Sequence, residues 1–257
     1  MCMKKIAIMY DFDKTLCNRD MQEYSLIPEL GYEDPNKFWA EVGKITKANK
    51  MDSILAYMYM LLKKSESVDR PIRKADFMRL GKDIEFYPGV LTWFERINKI
   101  GEALDLEIEH YIISSGMSEI IEGSAVYPFF KKVYACRYYY DANGVAKWPA
   151  LVVNYTTKTQ YIFRINKQVL DENEDSALNT YTPEALRPIP FKRMIYIADG
   201  LTDVPCMKLV KEYGGKSIAV YNPDKGNSIS RMLIEQGRAN FECPSNYAQG
   251  GLMEYLL

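Results

Sequence analysis

The 257-residue sequence predicts an α/β protein, in which a doubly wound, mostly parallel sheet lies between two layers of helices. Three observations support this fold class. Hydrophobic residues make up 47% of the chain, which is enough for a packed core and too many for a disordered chain. After residue 85, short apolar runs alternate with segments of helical periodicity, which indicates βαβ units with right-handed crossovers. Residues 17–85 show helical periodicity and contain no convincing strand.

The first strand, IAIMY over residues 6–10, is followed by this helical stretch. An insertion at that place leaves the sheet at the carboxyl end of the first strand. Open α/β sheets bind their ligands at this edge. We therefore predict a Rossmann-like catalytic core formed by residues 1–16 and 86–257, and an all-helical cap, residues 17–85, over its ligand-binding edge.

The core elements after the cap follow in a regular order. A strand over residues 108–116 precedes a predicted helix over residues 117–130, and two further strands flank Asn143-Gly144, a dipeptide typical of β-hairpin turns. Residues 171–192 are longer than a usual helix-to-strand connection, and we expect them to be exposed at the amino edge of the sheet. The remaining elements are a helix over 157–170, a strand over 193–200, a helix over 203–215, a strand over 216–223, a helix over 228–237 and a strand over 239–244.

Charge and composition argue against several classes of function. Lys and Arg total 33 against 34 Asp and Glu, so the chain lacks the basic field that would attract nucleic acid or an anionic membrane. No signal sequence or membrane-spanning run is apparent, and we expect a cytoplasmic protein. The five cysteines have no close ligand spacing, which argues against a zinc site. The only histidine, His110, begins an apolar strand, where a structural role is expected.

Polar side chains gather where the predicted strands end. Asp11 and Asp13 follow the first strand two residues apart, and therefore share a face of an extended chain. The other members of the set lie at the end of the second strand, at the start of a helix, and at or just after the end of strand 193–200: Ser114, Ser115, Gly116, Lys158, Asp199 and Asp203. Because the carboxyl ends of parallel strands meet at one edge of a sheet, we expect one site there.

Such a set suits phosphoryl chemistry. Several carboxylates repel one another unless a hard cation lies between them, and Mg²⁺ prefers such oxygen ligands. A lysine and hydroxyl groups would bind phosphoryl oxygens. One carboxylate can attack phosphorus to form an aspartyl-phosphate, and a second can protonate the leaving group and then activate water. No histidine is needed for this reaction.

These residues resemble the four motifs of the haloacid dehalogenase superfamily. The motifs are DFDKTL over residues 11–16, Ser114, Lys158, and ADGLTD over residues 198–203. The likeness covers residues 4–16 and about 85–243, and the helical insertion resembles the C1-type cap of the phosphoserine-phosphatase-like branch. The resemblance implies a three-layer, Rossmann-like fold with the first strand between the strands that carry Ser114 and Asp199.

The resemblance also implies catalytic roles. Asp11 aligns with the nucleophile and Asp13 with the acid/base. Ser114 aligns with the phosphate-binding hydroxyl and Lys158 with the phosphate-binding lysine. Members that release a halide lack the acid at position 13, since a halide needs no proton, so Asp13 indicates hydrolysis of a phosphate ester.

The metal site follows from the same alignment. Asp199 aligns with a metal ligand and Asp203 with the acid that supports the metal site, while Asp11 and the main-chain carbonyl of Asp13 complete the expected Mg²⁺ ligands. One position departs from the common pattern, because Ala198 stands where the family often has glycine. This change affects backbone packing more than chemistry.

Substrate-binding residues are predicted around these motifs. Thr15, Ser115 and Gly116 adjoin the catalytic residues. Asp20 lies nine residues after the nucleophile, where phosphoserine phosphatases carry an acid that holds the substrate amine, and Glu23 follows one helical turn later. An ordinary charged helix surface is the alternative reading of both acids. Four arginines are candidates for binding a substrate carboxylate: Arg19, Arg70, Arg73 and Arg79.

The sequence thus predicts a Mg²⁺-dependent phosphatase that acts on a small phosphorylated metabolite. A phosphotransferase or phosphomutase of the same superfamily is one alternative. A phosphorylatable signalling module is another, although such a module needs neither a large cap nor the acid at position 13. Nucleic acid and membranes are not expected partners, and the choice between monomer and homodimer stays open.

Overall fold

A seven-stranded sheet forms the centre of the computed structural model, which describes residues 3–257. The strand order is β4-β3-β2-β1-β5-β6-β7, and all neighbouring strands are parallel except β3 and β4. The strands are β1 (Lys4–Tyr10), β2 (Leu106–Met117), β3 (Phe130–Tyr140), β4 (Ala146–Leu151), β5 (Met194–Ala198), β6 (Lys216–Tyr221) and β7 (Phe241–Pro244). The predicted α/β class and the central place of the first strand, between β2 and β5, are confirmed.

Helices flank this sheet and fill the stretch after β1. In chain order they are α1 (Leu26–Glu29), α2 (Pro35–Asn49), α3 (Ser53–Ser67), α4 (Lys74–Leu80), α5 (Val90–Ala103), α6 (Ser118–Glu122), α7 (Thr157–Lys167), α8 (Asp175–Asn179), α9 (Val204–Glu212), α10 (Ser228–Glu235) and α11 (Leu252–Leu256). In residues 3–257, none of these helices combines the length and the apolar character that crossing a membrane requires.

The helices α1–α4 all lie within residues 17–85. An isolated β-bridge between Cys17 and Phe86 joins the two ends of this stretch. Local caps define its longest helices: Asp34 accepts a hydrogen bond at the start of α2, where Pro35 follows, and Asp52 accepts two at the start of α3. The division into a core and a cap stays a prediction, and Met1 and Cys2, which begin the predicted core, lie outside the described residues.

The β3–β4 hairpin forms around the predicted Asn143-Gly144 turn. Gly144 has a φ of +71°, a left-handed conformation that glycine adopts without strain. The hairpin is hydrogen-bonded to the helical stretch. The Tyr138 hydroxyl donates to the main-chain oxygen of Met58 (2.6 Å), and the Ala146 amide donates to that of Ile72 (2.8 Å). The hairpin therefore contacts α3 and the segment between α3 and α4.

The predicted helix over residues 117–130 is wrong in length, because β2 continues to Met117 and α6 ends at Glu122. At Gly123 the chain passes so close to α4 that an added Cβ would lie 1.7 Å from the main-chain oxygen of Met78.

Residues 171–192 lead into β5, at the amino edge of the sheet. The buried Arg164 guanidinium holds the beginning of this segment by donating to the main-chain oxygens of Asp171, Glu172 and Glu174.

His110 is buried at the centre of a hydrogen-bonded chain. Its Nδ1 lies 3.0 Å from the Tyr10 hydroxyl, and its Nε2 lies 2.9 Å from Asn98 Oδ1. The Tyr10 hydroxyl also accepts from Trp93 Nε1 (2.9 Å). A neutral ring that donates from Nε2 and accepts at Nδ1 satisfies all of these contacts. Burial lowers the pKa of His110 to about 3, which keeps the ring neutral.

The described cysteines pack as small apolar residues. Cys17, Cys136, Cys206 and Cys243 are all free thiols in buried positions, and Cys2 lies outside the described residues. Burial raises the pKa of Cys136 to about 11 and that of Cys206 to about 12, so these thiols stay protonated.

Candidate active site

A cavity of about 500 Å³ opens at the carboxyl edge of the sheet. One side carries the residues that follow the strands: Asp11, Asp13, Lys14, Ser115, Lys158, Asp199, Gly200, Leu201 and Thr202. The opposite side, which we call the helical wall, is formed by residues of the helical stretch: Asp20, Gln22, Trp39, Val42, Gly43, Thr46, Lys47, Ser53, Ile54 and Tyr57. The cavity therefore lies between the strand ends and the predicted cap.

Lys158 joins two acids at the floor of the cavity. Its Nζ donates to Asp11 Oδ1 (3.0 Å) and to Asp203 Oδ1 (2.7 Å), and all three side chains are buried. Asp11 extends the ladder of β1, because its amide donates to the main-chain oxygen of Ile197 in β5. Lys158 lies in the first turn of α7. The strand order and the start of α7 therefore bring together residues 147 positions apart in the sequence.

Burial shifts the pKa values of these groups. It raises the pKa of Asp11 to about 7, against the opposing charge of Lys158. Burial, with the negative charge of Asp11, raises the pKa of Asp199 to about 8. Burial alone would lower the pKa of Lys158, but Asp11 and Asp203 outweigh it and raise that pKa. The acids thus outnumber the one fully buried cation beside them, and a further cation would favour the ionised forms of Asp11 and Asp199.

The acids fit a divalent cation. Carboxylate oxygens of Asp11, Asp199 and Asp203 lie within 4.8 Å of one another. Asp203 is already held on both oxygens, since Lys158 and Tyr196 donate to Oδ1 and Thr202 donates to Oδ2. It is therefore placed to support the site rather than to give up an oxygen. Asp11 and Asp199 remain as candidate ligands, and an all-oxygen set of this kind suits Mg²⁺.

Asp13 points away from this acid cluster. Its Oδ1 accepts a hydrogen bond from the Met21 amide (2.7 Å), and a Cβ added at Gly116 would lie 2.9 Å from its Oδ2. Burial raises the pKa of the Asp13 carboxyl well above its usual range, so a proton on it is favoured. Within residues 3–257, the main-chain oxygen of Asp13 accepts no hydrogen bond, which leaves it free for the predicted metal contact.

The two adjacent serines have different surroundings. Ser114 is fully buried, its Oγ accepts from the Gly116 amide (3.0 Å), and it does not line the cavity. Ser115 does line it, and its buried Oγ has no hydrogen-bond partner among the described residues. Of the two predicted serines, Ser115 therefore lines the cavity and Ser114 does not, and the catalytic role of Ser114 stays a prediction. Thr15 is also buried and lies away from the cavity, where its main-chain oxygen accepts from Tyr247.

The predicted substrate-binding acids are both engaged. Asp20 lines the cavity, but its carboxylate is 2.6 Å from the ammonium of Lys14. Glu23 accepts from Trp39 Nε1 (2.7 Å) and does not line the cavity. The four candidate arginines also lie elsewhere: Arg19 pairs with Glu85, Arg70 and Arg79 pair with Glu29, and Arg73 donates to the main-chain oxygen of Asn143.

Most of the helical wall was not predicted. Trp39, Val42 and Thr46 follow one another at three- and four-residue spacing on α2, so they share a face of the helix. That spacing is visible in the sequence, but it is equally typical of a helix packed on a core. Only the fold shows that this face borders a cavity.

Comparison with known proteins now assigns the family. A family model described as Putative Phosphatase matches residues 6–243. The chain belongs to the Putative Phosphatase family. An uncharacterized protein of Borreliella burgdorferi is 28% identical to this phosphatase over 272 residues, which cover 95% of this chain and 92% of the relative.

Solved structures share the fold of this phosphatase. A phosphoserine phosphatase described as a phospho-aspartyl intermediate analogue is 15% identical, with a TM-score of 0.58 and 98% of each chain covered. A phosphoserine phosphohydrolase-like protein from Francisella tularensis is 19% identical, with a TM-score of 0.56, and covers 99% of this chain and 100% of that chain. At these identities the likeness shows the fold alone. The family match makes this chain a member of a phosphatase family, and the shared fold agrees with the resemblance to the haloacid dehalogenase superfamily that its motifs carry.

Proposed function

We propose that this phosphatase hydrolyses the phosphomonoester of a small metabolite, with Mg²⁺ bound at the acid cluster and Asp11 as the nucleophile. The observation that carries the proposal is the buried contact of Lys158 with both Asp11 and Asp203, beside Asp199 and at the floor of a cavity. Asp13 borders the same cavity. Groups suited to act as nucleophile, acid/base and phosphate-binding cation thus border one space, which supports the proposal.

The proposed reaction has two steps. In the first, an oxygen of Asp11 attacks phosphorus, the bond from phosphorus to the ester oxygen breaks, and the protonated carboxyl of Asp13 gives its proton to the leaving alkoxide. In the second, Asp13 takes a proton from water as the water oxygen attacks phosphorus. The bond from phosphorus to Asp11 breaks, and inorganic phosphate leaves.

The surrounding residues support these steps in the proposal. Lys158 would hold a phosphoryl oxygen and keep Asp11 oriented, and the Ser115 hydroxyl would donate to a second oxygen. Mg²⁺, held by Asp11, Asp199 and the main-chain oxygen of Asp13, would supply positive charge that offsets the charge of the acids and the phosphoryl group. We propose residues 17–85 as the cap that covers the leaving group and limits the access of water.

Replacing the nucleophile tests the proposal. Asp11→Asn keeps the size of the side chain and removes its nucleophilic oxygen, so hydrolysis of p-nitrophenyl phosphate should fall by about 10³-fold or more. Asp224→Asn is the matched control, because this exposed aspartate makes no side-chain hydrogen bond or ion pair within residues 3–257. Turnover by Asp11→Asn above about a tenth of the wild-type rate would rule out Asp11 as the nucleophile.

Removing divalent metal tests the proposed Mg²⁺ site. Dialysis against EDTA should abolish hydrolysis of p-nitrophenyl phosphate, since the acids would then repel the phosphoryl group, and added Mg²⁺ should restore it. The rate is measured before dialysis, after it and after the addition of Mg²⁺. Full activity in the metal-free protein would contradict the proposed metal site.

A further inference from the structure

Three buried polar atoms at the cavity have no hydrogen-bond partner among residues 3–257. They are Ser115 Oγ at the catalytic end, and Gln22 Oε1 and Thr46 Oγ1 in the helical wall. Gln22 is 98% buried, and its Oε1 is shielded from bulk water. Buried polar groups are nearly always hydrogen-bonded, and leaving one unpaired is unfavourable. Two such groups on one wall indicate a ligand that brings hydrogen-bonding groups to them.

The charged groups around the cavity favour a ligand whose leaving group is uncharged. Asp20, the acid on the helical wall, is neutralised by Lys14 at 2.6 Å, so it offers no free charge to an ammonium group. No arginine lines the cavity among the described residues. Lys47 lines its outer part, but this lysine is exposed, and its charge is hydrated. An amino-acid leaving group would therefore lack partners for both of its charges.

Apart from Ser53, the rest of the helical wall is mainly apolar. Trp39, Val42, Ile54 and Tyr57 contribute side chains to it, and Leu201 faces them across the cavity. Carbon-bound hydrogens of a sugar or polyol pack well on such a surface, especially on aromatic rings. The hydroxyl groups of the same molecule would reach the amide of Gln22 and the hydroxyl of Thr46.

We propose that the leaving group is an uncharged polyhydroxylated carbon chain or ring, so that the substrate is a sugar or polyol phosphate. Gln22 and Thr46 select it through hydrogen bonds to its hydroxyl groups. This inference rests on the proposed phosphatase function, because it places the phosphate at Asp11. It excludes a zwitterionic amino-acid phosphate as the preferred substrate.

A panel of phosphorylated compounds tests the proposed substrate class. The full chain with Mg²⁺ is assayed for phosphate release from sugar phosphates, polyol phosphates, phosphoserine, phosphoethanolamine and 3-phosphoglycerate. The best sugar or polyol phosphate should exceed phosphoserine and phosphoethanolamine in kcat/KM by about tenfold or more. Phosphoserine or phosphoethanolamine in first place would overturn the inference. First place for 3-phosphoglycerate would also overturn it, since an anionic leaving group would then bind at Lys47.

Two variants test whether Gln22 and Thr46 bind the hydroxyl groups of the substrate. Gln22→Leu and Thr46→Val remove one hydrogen-bonding group each, and each should lower kcat/KM for the best sugar or polyol phosphate by about 10- to 100-fold, mainly through KM. Hydrolysis of p-nitrophenyl phosphate, whose leaving group has no hydroxyl group to recognise, should fall by a factor at least about threefold smaller than hydrolysis of the sugar or polyol phosphate. Gln236→Leu, at an exposed glutamine outside the cavity, is the matched control. An equal loss on both substrates would show a structural role and overturn the assignment.

The aryl phosphate separates this inference from the proposed function. If the wild type hydrolyses p-nitrophenyl phosphate and Asp11→Asn does not, the phosphatase proposal stands, and the panel alone decides the leaving group. If the wild type releases phosphate from no substrate in the presence of Mg²⁺, both proposals fail.

Discussion

At the scale of single residues, four charged side chains converge at the floor of the cavity, and one of two neighbouring serines lines it. The order of acids at strand ends indicated that Asp11, Lys158, Asp199 and Asp203 would gather, and the structure brings them together. Their catalytic roles stay predictions. Which of two consecutive serines faces the cavity could not be read from the sequence, because neighbours on a strand point to opposite faces and the register of β2 is irregular between Ile113 and Met117, where both serines lie.

The burial of Asp13 leads to a kinetic prediction. Asp13→Asn should still be phosphorylated by p-nitrophenyl phosphate, whose leaving group needs no acid, but hydrolysis of the phosphoenzyme should slow by about 10²- to 10⁴-fold. Rapid mixing should then show a burst of about one equivalent of p-nitrophenol per protein. A steady rate without a burst and with undiminished turnover would exclude Asp13 as the acid/base.

At the scale of elements, the connection after β2 was the least predictable part. Residues 117–130 carry an apolar pattern that suits a helix, yet α6 has five residues. The reason is a long-range contact: Gly123 lies against the backbone of Met78 in α4, 45 positions away along the chain. Local periodicity carries no information about such a contact. The contact therefore ended the helix earlier than the local pattern predicts.

Two glycine replacements test this explanation. In Gly123→Ala the new Cβ would lie 1.7 Å from the main-chain oxygen of Met78, so α4 or α6 must move. We expect the free energy of unfolding to fall by about 2–3 kcal/mol. Gly43→Ala is the matched control within α2, because no heavy atom lies within 4 Å of its Cβ, and alanine should stabilise the helix by about 0.5–1 kcal/mol. Urea denaturation measures both, and similar values for the two variants would contradict this account.

For the whole molecule, the buried neutral His110 links stability to pH. Its pKa is about 3 in the folded protein and about 6.5 when unfolded, so the unfolded chain binds a proton that the folded chain does not. This contribution is present above pH 6.5 and is lost as the pH falls. The loss should reach about 2 kcal/mol between pH 7 and pH 5.

A variant isolates this effect from the acids, whose raised pKa values act in the opposite direction. Relative to His110→Gln, the wild type should lose about 2 kcal/mol of unfolding free energy between pH 7 and pH 5, because the acids are common to both proteins. Urea denaturation at both pH values measures the difference. A constant difference would show that His110 titrates normally in the folded protein.

The assembly of the sheet and the helical stretch was only partly predictable. The family resemblance implied the central place of β1, but nothing in the sequence indicated the contact of the hairpin with α3. Tyr138 and Met58, which share a hydrogen bond, are 80 positions apart, and no sequence pattern around either residue predicts this contact. The same holds for the Tyr57 hydroxyl, which donates to the main-chain oxygen of Ser115 (2.7 Å) and so joins the helical wall to the catalytic strand.

Both outer strands of the sheet are poor templates for another strand. β4 forms one edge and contains Pro149, which has no amide proton to donate. β7 forms the other edge, spans four residues and ends at Pro244. A second copy of the chain that added a strand at either place would find a short or interrupted ladder. Growth into a continuous intermolecular sheet is therefore disfavoured, and a homodimer of this phosphatase would have to pair through side-chain surfaces.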